Sequence, residues 1–282
     1  MTYYLGLDAG GSTCRVRVVD AKGVIIGEGR GGPANARIGL GPLLAVLGDT
    51  IRTSLGDLEP SAVKAGFGIA GLNRPGIRAA LEANAFGFAA LRIESDGHIA
   101  CLGAHNGQDG GIVIVGTGSI ALIKQGADFT SVGGHGFPIS GEGSGASIGL
   151  RAVTWLYRVM DGRVPHDALF EPLLAAIGGT KEASYVWVDH AQPQDYAQLA
   201  PIVLESARQG GVAAQALMVH AALDIGDLIE ATFALGAQRC SLIGGLAEPI
   251  LTYLPAALAT RLSQPLADPL TGALMLAKGP RR

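Results

Sequence analysis

Leu5–Asp20 reads LGLDAGGSTCRVRVVD, one acid and five small residues set between two apolar runs. Residues 3–7 and 14–19 read as strands, which makes Asp8–Thr13 the bend that joins them. A turn at 21–23 leads into a third strand over 24–29, and the three predict an antiparallel meander. Beyond it the pattern predicts a helix over 41–55, a buried strand through VKAGFGIAG, a helix over 77–86 and a strand at LRIES. Asp96 ends that strand and opens the apolar helix GHIACLGAH.

The order then begins again. GGIVIVGTGSIALIKQ reads as a second hairpin with its bend at 116–119, and a further strand is expected near 130–132. A helix follows GEGSGAS and runs through Leu156, helical sequence fills 165–236, and CSLIGGLAEP is a strand, a Gly turn and a helix. Two halves that each open on a hairpin, one turning at DAGGST and the other at GTGS, predict a duplicated α/β unit of the βββαβα type. The expected boundaries are 1–108 for the first half and 109–267 for the second, with a helix from 268–282 returning to the first.

Composition narrows the function classes. A chain of 282 residues, 48% of them hydrophobic, can bury two cores of ordinary size. A net charge of -3 with 16% charged residues, and no Lys/Arg cluster, gives nothing to track a nucleic acid or an anionic membrane. Cys14, Cys101 and Cys240 lie far apart with no CxxC or Cys/His spacing, which suggests neither a disulfide framework nor a zinc site. The strand-like N-terminus has no signal-peptide pattern, and no run of about 18 apolar residues follows. A soluble cytoplasmic protein is expected. The 43 glycines gather at GG, GTG, GEGSG and IGG sites beside apolar strands, as loops for phosphate or sugar would.

The first bend offers backbone amides at Gly10 and Gly11 and hydroxyls at Ser12 and Thr13 to an anion. Asp8 beside it would repel a phosphate unless a cation stood between them, and Mg²⁺ is commonly held through one carboxylate, water and phosphates. The plainer reading is that Asp8 makes an Asx turn. Gly116, Thr117, Gly118 and Ser119 form an equivalent bend, while Gly244 and Gly245 stand between a strand and a helix N-terminus, where amides and the helix dipole suit an anion. Either could also be an ordinary turn. Neither GxxxxGK[ST] nor a GxGxxG opening a helix occurs, so P-loop and Rossmann readings are disfavoured. Asp96, at a strand-to-helix junction, is a favoured N-cap residue.

In order along the chain, DAGGST after Leu7, Ser95-Asp96 before GHIACLGAH, GTGS, FPISGEGSGA and the late IGGLAE resemble the bacterial glucosamine kinases. These stand with the N-acetylglucosamine kinases in the BadF/BadG/BcrA/BcrD ATPase family. The resemblance covers nearly the whole chain and implies the two-lobed fold of actin, Hsp70 and sugar kinases, with ATP and Mg²⁺ in a cleft between lobes. It implies Asp96 as the general base for a sugar 6-hydroxyl, Asp8 holding Mg²⁺ through water, and the three Gly loops on the nucleotide. It also implies that Asn35, Asp96, Gly134, His135 and Glu142 contact an amino sugar.

Two departures stand out. Ala9 and Ser12 replace a Gly and a Thr of the family's DGGGT, and Gly141 replaces an Asp before Glu142. The second bears on whether the substrate is glucosamine, which the motifs favour, or N-acetylglucosamine. The family's activator ATPases, which work on a partner protein through a cysteine-held iron–sulfur cluster, are the alternative; the cysteines here are too dispersed and apolar in setting. VAAQALMVHAALDIGDLIEATFAL is apolar enough either to form a homodimer face or to be a buried core helix.

Overall fold

The computed structural model describes residues 2–84 and 86–279. Two sheets organise the chain, ordered β3-β2-β1-β4-β5 and β8-β7-β6-β9. It divides into two compact units. Unit 1 comprises Met1–Gly110, Lys124–Phe129 and Gln264–Arg282, and unit 2 comprises Gly111–Ile123 and Thr130–Ser263.

In unit 1, β1 (Tyr3–Ala9), β2 (Cys14–Val19) and β3 (Ile25–Gly31) form the expected meander, and β4 (Val63–Ile69) and β5 (Ala90–Ser95) extend it in parallel. Side chains alternate between the two faces. Leu5, Leu7, Val16, Val18, Phe67 and Ile69 point to one face, where they bury Leu43, Leu47 and Ile51 of α1 (Leu40–Leu55). Gly27, Gly29 and Gly31 recur at the strand period on β3 because a Cβ at any of them would strike Thr50 or Ser54 of α1. These are packing glycines and not ligand loops. The short α2 (Ile77–Ala83) ends before residue 86, and Ala85 lies outside the described residues.

The opposite face is covered by α3 (Asp96–Ala104) and by the last helix of the chain, Pro269–Lys278. Gly6 of β1 and Gly66 of β4 lie beneath that last helix; a Cβ at Gly6 would stand 2.7 Å from the carbonyl oxygen of Leu270. Gly68 leaves room for Ile99, and Gly103 of α3 lies against the Asp268 carbonyl. Helix and sheet approach at backbone distance because these positions lack side chains. Of the predicted segment 268–282, residues 280–282 lie outside the described residues.

In the second sheet, β6 (Gly110–Val115), β7 (Ser119–Gln125) and β8 (Asp128–Gly133) precede α4 (Gly145–Met160), and the tip of the β7–β8 hairpin, Lys124–Phe129, belongs to unit 1. The predicted helical stretch is five helices: α5 (Phe170–Ala176), α6 (Lys181–His190), α7 (Pro193–Ala197), α8 (Ala200–Arg208) and α9 (Val212–Ala234). The Gly178-Gly179 and Gly210 positions, all with positive φ, and Pro193 interrupt it. β9 (Cys240–Ile243) pairs in parallel with β6 and is followed by α10 (Ala247–Leu251) and α11 (Ala256–Ala259); the last helix is therefore α12. The repeat is incomplete, because only an isolated bridge from Cys240 to Leu262 continues the second sheet where the first has its fifth strand.

By length and mean composition α9 could cross a membrane, although Gln215, His220, Asp224, Asp227 and Glu230 interrupt it and it is no unbroken apolar run. Leu217, Met218, Ile225 and Ile229 instead lie in the core of unit 2 with Ile148, Leu156 and Val203, and its outer face carries Asp227 and Glu230 beside exposed Val219 and Leu223. The three cysteines are buried.

Candidate active site

Unit 1 gathers carboxylates at the C-terminal ends of its parallel strands. Register places Asp8 of β1 beside Gly68 of β4, and Gly68 beside Glu94 of β5, so Asp96 begins α3 two strands from Asp8, with β4 between them. The helix cap is Ser95, whose hydroxyl accepts from the His98 amide, while Asp96 takes the first helical position. Its Oδ1 accepts from the Gly97 amide at 3.0 Å. Burial raises the proton affinity of Asp96, the Gly97 amide opposes that rise, and the nearby Asp8 charge adds to it. Burial together with a neighbouring like charge is an arrangement by which proteins raise the basicity of a carboxylate.

Asp8 is not an Asx-turn residue. Its Oδ2 pairs with Arg15 Nη2 at 2.5 Å, directly across the hairpin, whereas Asp20 makes the Asx-type bonds in the next turn, to Lys22 N and Val24 N. The DAGGST bend is tied at its base: Gly10 N donates to Thr13 O, Ala34 N to Gly10 O and Ala70 N to Ala9 O. Above it there is room. A Cβ on Gly10 would meet only Thr13 O at 3.5 Å, and one on Gly11 only Asn35 Nδ2 at 3.7 Å. Nothing among the described residues requires glycine there, and both backbones stay open to approach. Asn35 caps the short 3₁₀ turn Ala36–Ile38, its Oδ1 accepting from Arg37 N, and turns its amide nitrogen toward Gly11.

Unit 2 brings its three loops together. Gly145 N and Ala146 N, at the start of α4, donate to Gly116 O and Thr117 O, and Leu246 N donates to Val115 O. Ser119 Oγ donates to Glu142 O at 2.6 Å. Gly116, Gly118 and Gly245 have nothing within 4 Å of an added Cβ, so they too leave their backbones open, while Gly244 is held at φ 104 with Val115 beneath it. Glu142 Oε2 accepts from Gly141 N at 2.9 Å and the side chain is exposed. Gly134 lies over Ile120, and His135 is exposed.

Four side chains in these surroundings escaped the sequence reading. Arg15 is recoverable from hairpin register alone. Ser95 is the cap, and His98 Nδ1 lies 2.6 Å from its hydroxyl; burial lowers the pKa of the His98 ring, which packs on Phe129 at 4.2 Å. Asp224 of α9 pairs with Arg151 at 3.3 Å; burial raises its pKa, with Glu142 among the neighbouring charges that add to this. Nothing in a linear reading joins Asp224 to the Glu142 loop.

The profile of the BadF/BadG/BcrA/BcrD ATPase family matches residues 5–277. Across 99% of this chain and 97% of its own length, the glucosamine kinase GspK of Vibrio cholerae is 34% identical. The N-acetylmuramic acid/N-acetylglucosamine kinase of Clostridium acetobutylicum is 26% identical over 80% of this chain and 77% of its own. A solved structure of a candidate N-acetylglucosamine kinase from Chromobacterium violaceum superposes with a TM-score of 0.91 at 32% identity, covering 98% of this chain and 99% of that one.

Proposed function

The chain belongs to the BadF/BadG/BcrA/BcrD ATPase family, and from that premise we propose that it is an ATP-dependent amino-sugar kinase, phosphorylating the 6-hydroxyl of glucosamine. The observation that carries this reading is Asp96, a half-buried carboxyl at the first position of α3 whose proton affinity is raised by burial and by Asp8. A general base must be ionised at working pH yet basic enough to accept the hydroxyl proton as the oxygen bonds to the γ-phosphorus and the bond to ADP breaks. The relatives support the same chemistry, since kinases of glucosamine and N-acetylglucosamine are among them.

In this proposal the open backbones of Gly10, Gly11, Gly116, Gly118 and Gly245 receive the nucleotide, with Ser12, Thr13, Thr117 and Ser119 nearby. Among the described residues no three His, Cys, Asp or Glu side chains converge on one point. A divalent cation would thus rest on Asp8, water and the phosphates together, and when bound it would neutralise charge on the transferred group. Asn35, Gly134, His135 and Glu142 address the sugar. Exposed Glu142, with Asp224 as a charged neighbour, favours a protonated 2-amino group over an acetamide, which needs an apolar pocket and amide partners. No cysteine is exposed to hold a cluster of the activator type.

The test is ADP release from Mg·ATP with glucosamine, N-acetylglucosamine or glucose, run beside Asp96→Asn. Turnover that requires a hexosamine and is lost in the variant while ATP binding persists is the expected result. Sugar-independent ADP release that survives in the variant would overturn both the reaction and the base.

A further inference from the structure

Unit 1 holds a cavity of about 910 Å³ away from the strand ends that carry Asp8 and Asp96. It lies among β2, the C-terminal end of α3, the Gly126–Phe129 turn and α12. Its volume is that of a small-molecule site. Leu102, Phe129, Leu274 and Met275 supply an apolar floor, and Arg17, Arg92, Lys124 and Lys278 stand around it. Among the described residues no Asp or Glu lines it.

The four cations are not equivalent. Arg17 is bound to Glu28 at 2.8 Å and to Asp268 at 3.2 Å, and Lys124 to Asp109 at 2.8 Å. Arg92 donates to the Leu276 carbonyl at 3.1 Å, and Lys278 Nζ lies 5.2 Å above the Tyr4 ring. Neither of these two makes an ion pair with a carboxylate of the described residues. Both are exposed, and each keeps donors for an anion. At the same wall, Asn106 holds φ 50, the one non-glycine residue with positive φ among the described residues, and with Gly107, whose amide donates to the Leu102 carbonyl, it closes the C-terminal end of α3.

We infer that this cavity is a binding site for an amphipathic organic anion, whose carboxylate or phosphate meets Arg92 and Lys278 while its apolar body lies on Leu102, Phe129 and Met275. A neutral sugar fits poorly, because its many hydroxyls would lie against apolar carbon without partners. An inorganic anion alone would leave the apolar floor wet. Only a ligand with both parts satisfies both walls.

The experiment is calorimetric titration of the whole chain, below micelle formation, with decanoate, decyl phosphate, decanol and inorganic phosphate, with and without Mg·ATP. Saturable binding of either or both decyl anions, with decanol and phosphate each much weaker, is expected. Lys278→Gln should weaken the anions about fivefold, the scale of an exposed charge pair, and leave decanol unchanged. Arg92→Gln should do the same, and because it also removes a bond to α12, Lys278→Gln and a thermal melt keep the result readable. If decanoate binds better than decyl phosphate the head group is a carboxylate, and the reverse names a phosphate. The inference fails if no decyl anion binds, if decanol binds as well as the anions, or if both charge-neutral variants bind unchanged. Displacement of the decyl anions by Mg·ATP would place them in the nucleotide site and sink the inference without touching the kinase reading.

Discussion

Asp8 and Asp96, distant in sequence, are brought by the parallel pairing of β1, β4 and β5 close enough for the charge on one to raise the proton affinity of the other. A base needs its proton off, so kcat should fall as pH drops through a pKa above the ordinary carboxylate value of about 4. Asp8→Asn removes one of the charges raising it, and the acid limb of the pH–rate profile should move to lower pH. The limb's position is read, because its height will also reflect the loss of Asp8 from the proposed nucleotide site. An unmoved limb would separate the two carboxylates.

The same shift has a thermodynamic sign. The folded pKa of Asp96 lies above its unfolded value, so the folded state binds that proton more tightly, and the associated stability is lost as pH rises through the folded pKa. Asp96→Asn should therefore melt above the wild type at pH 7, by a margin that shrinks on acidification toward pH 4. The variant that stops turnover is then the more stable protein, and thermal melts across that range would check it.

Asp268 works in the opposite direction. Burial pushes its carboxyl up, but the Thr271 hydroxyl and amide and the Arg17 guanidinium outweigh it and hold the pKa below the usual range. Its contribution is present above the unfolded pKa and lost as pH falls through the folded one. Asp268→Ala removes the cap of α12 and should cost about 1 kcal/mol in urea unfolding at pH 7, and less below pH 4.

Two glycine substitutions should have opposite effects. At Gly272 a Cβ would collide with the Ile99 carbonyl, so Gly272→Ala should destabilise by about 1–3 kcal/mol as α12 is forced off α3. Gly48 is an exposed position inside α1 with nothing within 4 Å, and Gly48→Ala should stabilise by up to about 1 kcal/mol. Paired denaturation curves would decide both.

Glu142→Gln keeps the shape of the sugar loop and removes its charge. On the proposed reading KM for glucosamine should rise about two- to fivefold, the range of an exposed ion pair, with KM for N-acetylglucosamine little changed. An equal rise for both sugars would mean that Glu142 meets a hydroxyl and not the amine.

Much of this architecture is legible in the chain because strands and turns leave local marks. The DAGGST and GTGS bends, the strand at VKAGFGIAG and the helix opened by Asp96 all fall where apolar pattern and small residues put them. Glycine was harder to interpret. Gly11, Gly116 and Gly245 lie under open space, yet Gly6, Gly66, Gly103 and Gly272 serve helix packing, and one letter stands for both. The cap on Ser95 rather than Asp96 turns on a single hydroxyl. The Asp8–Asp96 and Glu142–Asp224 neighbourhoods depend on tertiary pairings that no local window contains.

The seam under α12 also sets a schedule on the ribosome. All five strands of the first sheet have been made by Ser95, but the helix that covers Gly6 and Gly66 is made only after the whole of unit 2. Unit 2 ends at Ser263 and has all its own elements before α12 exists. Vectorial synthesis thus lets the later unit finish first, while the earlier one waits with one sheet face covered by α3 alone. A chain stalled before Pro269 would lack the cover over Gly6 and Gly66 although every element of unit 2 had been made.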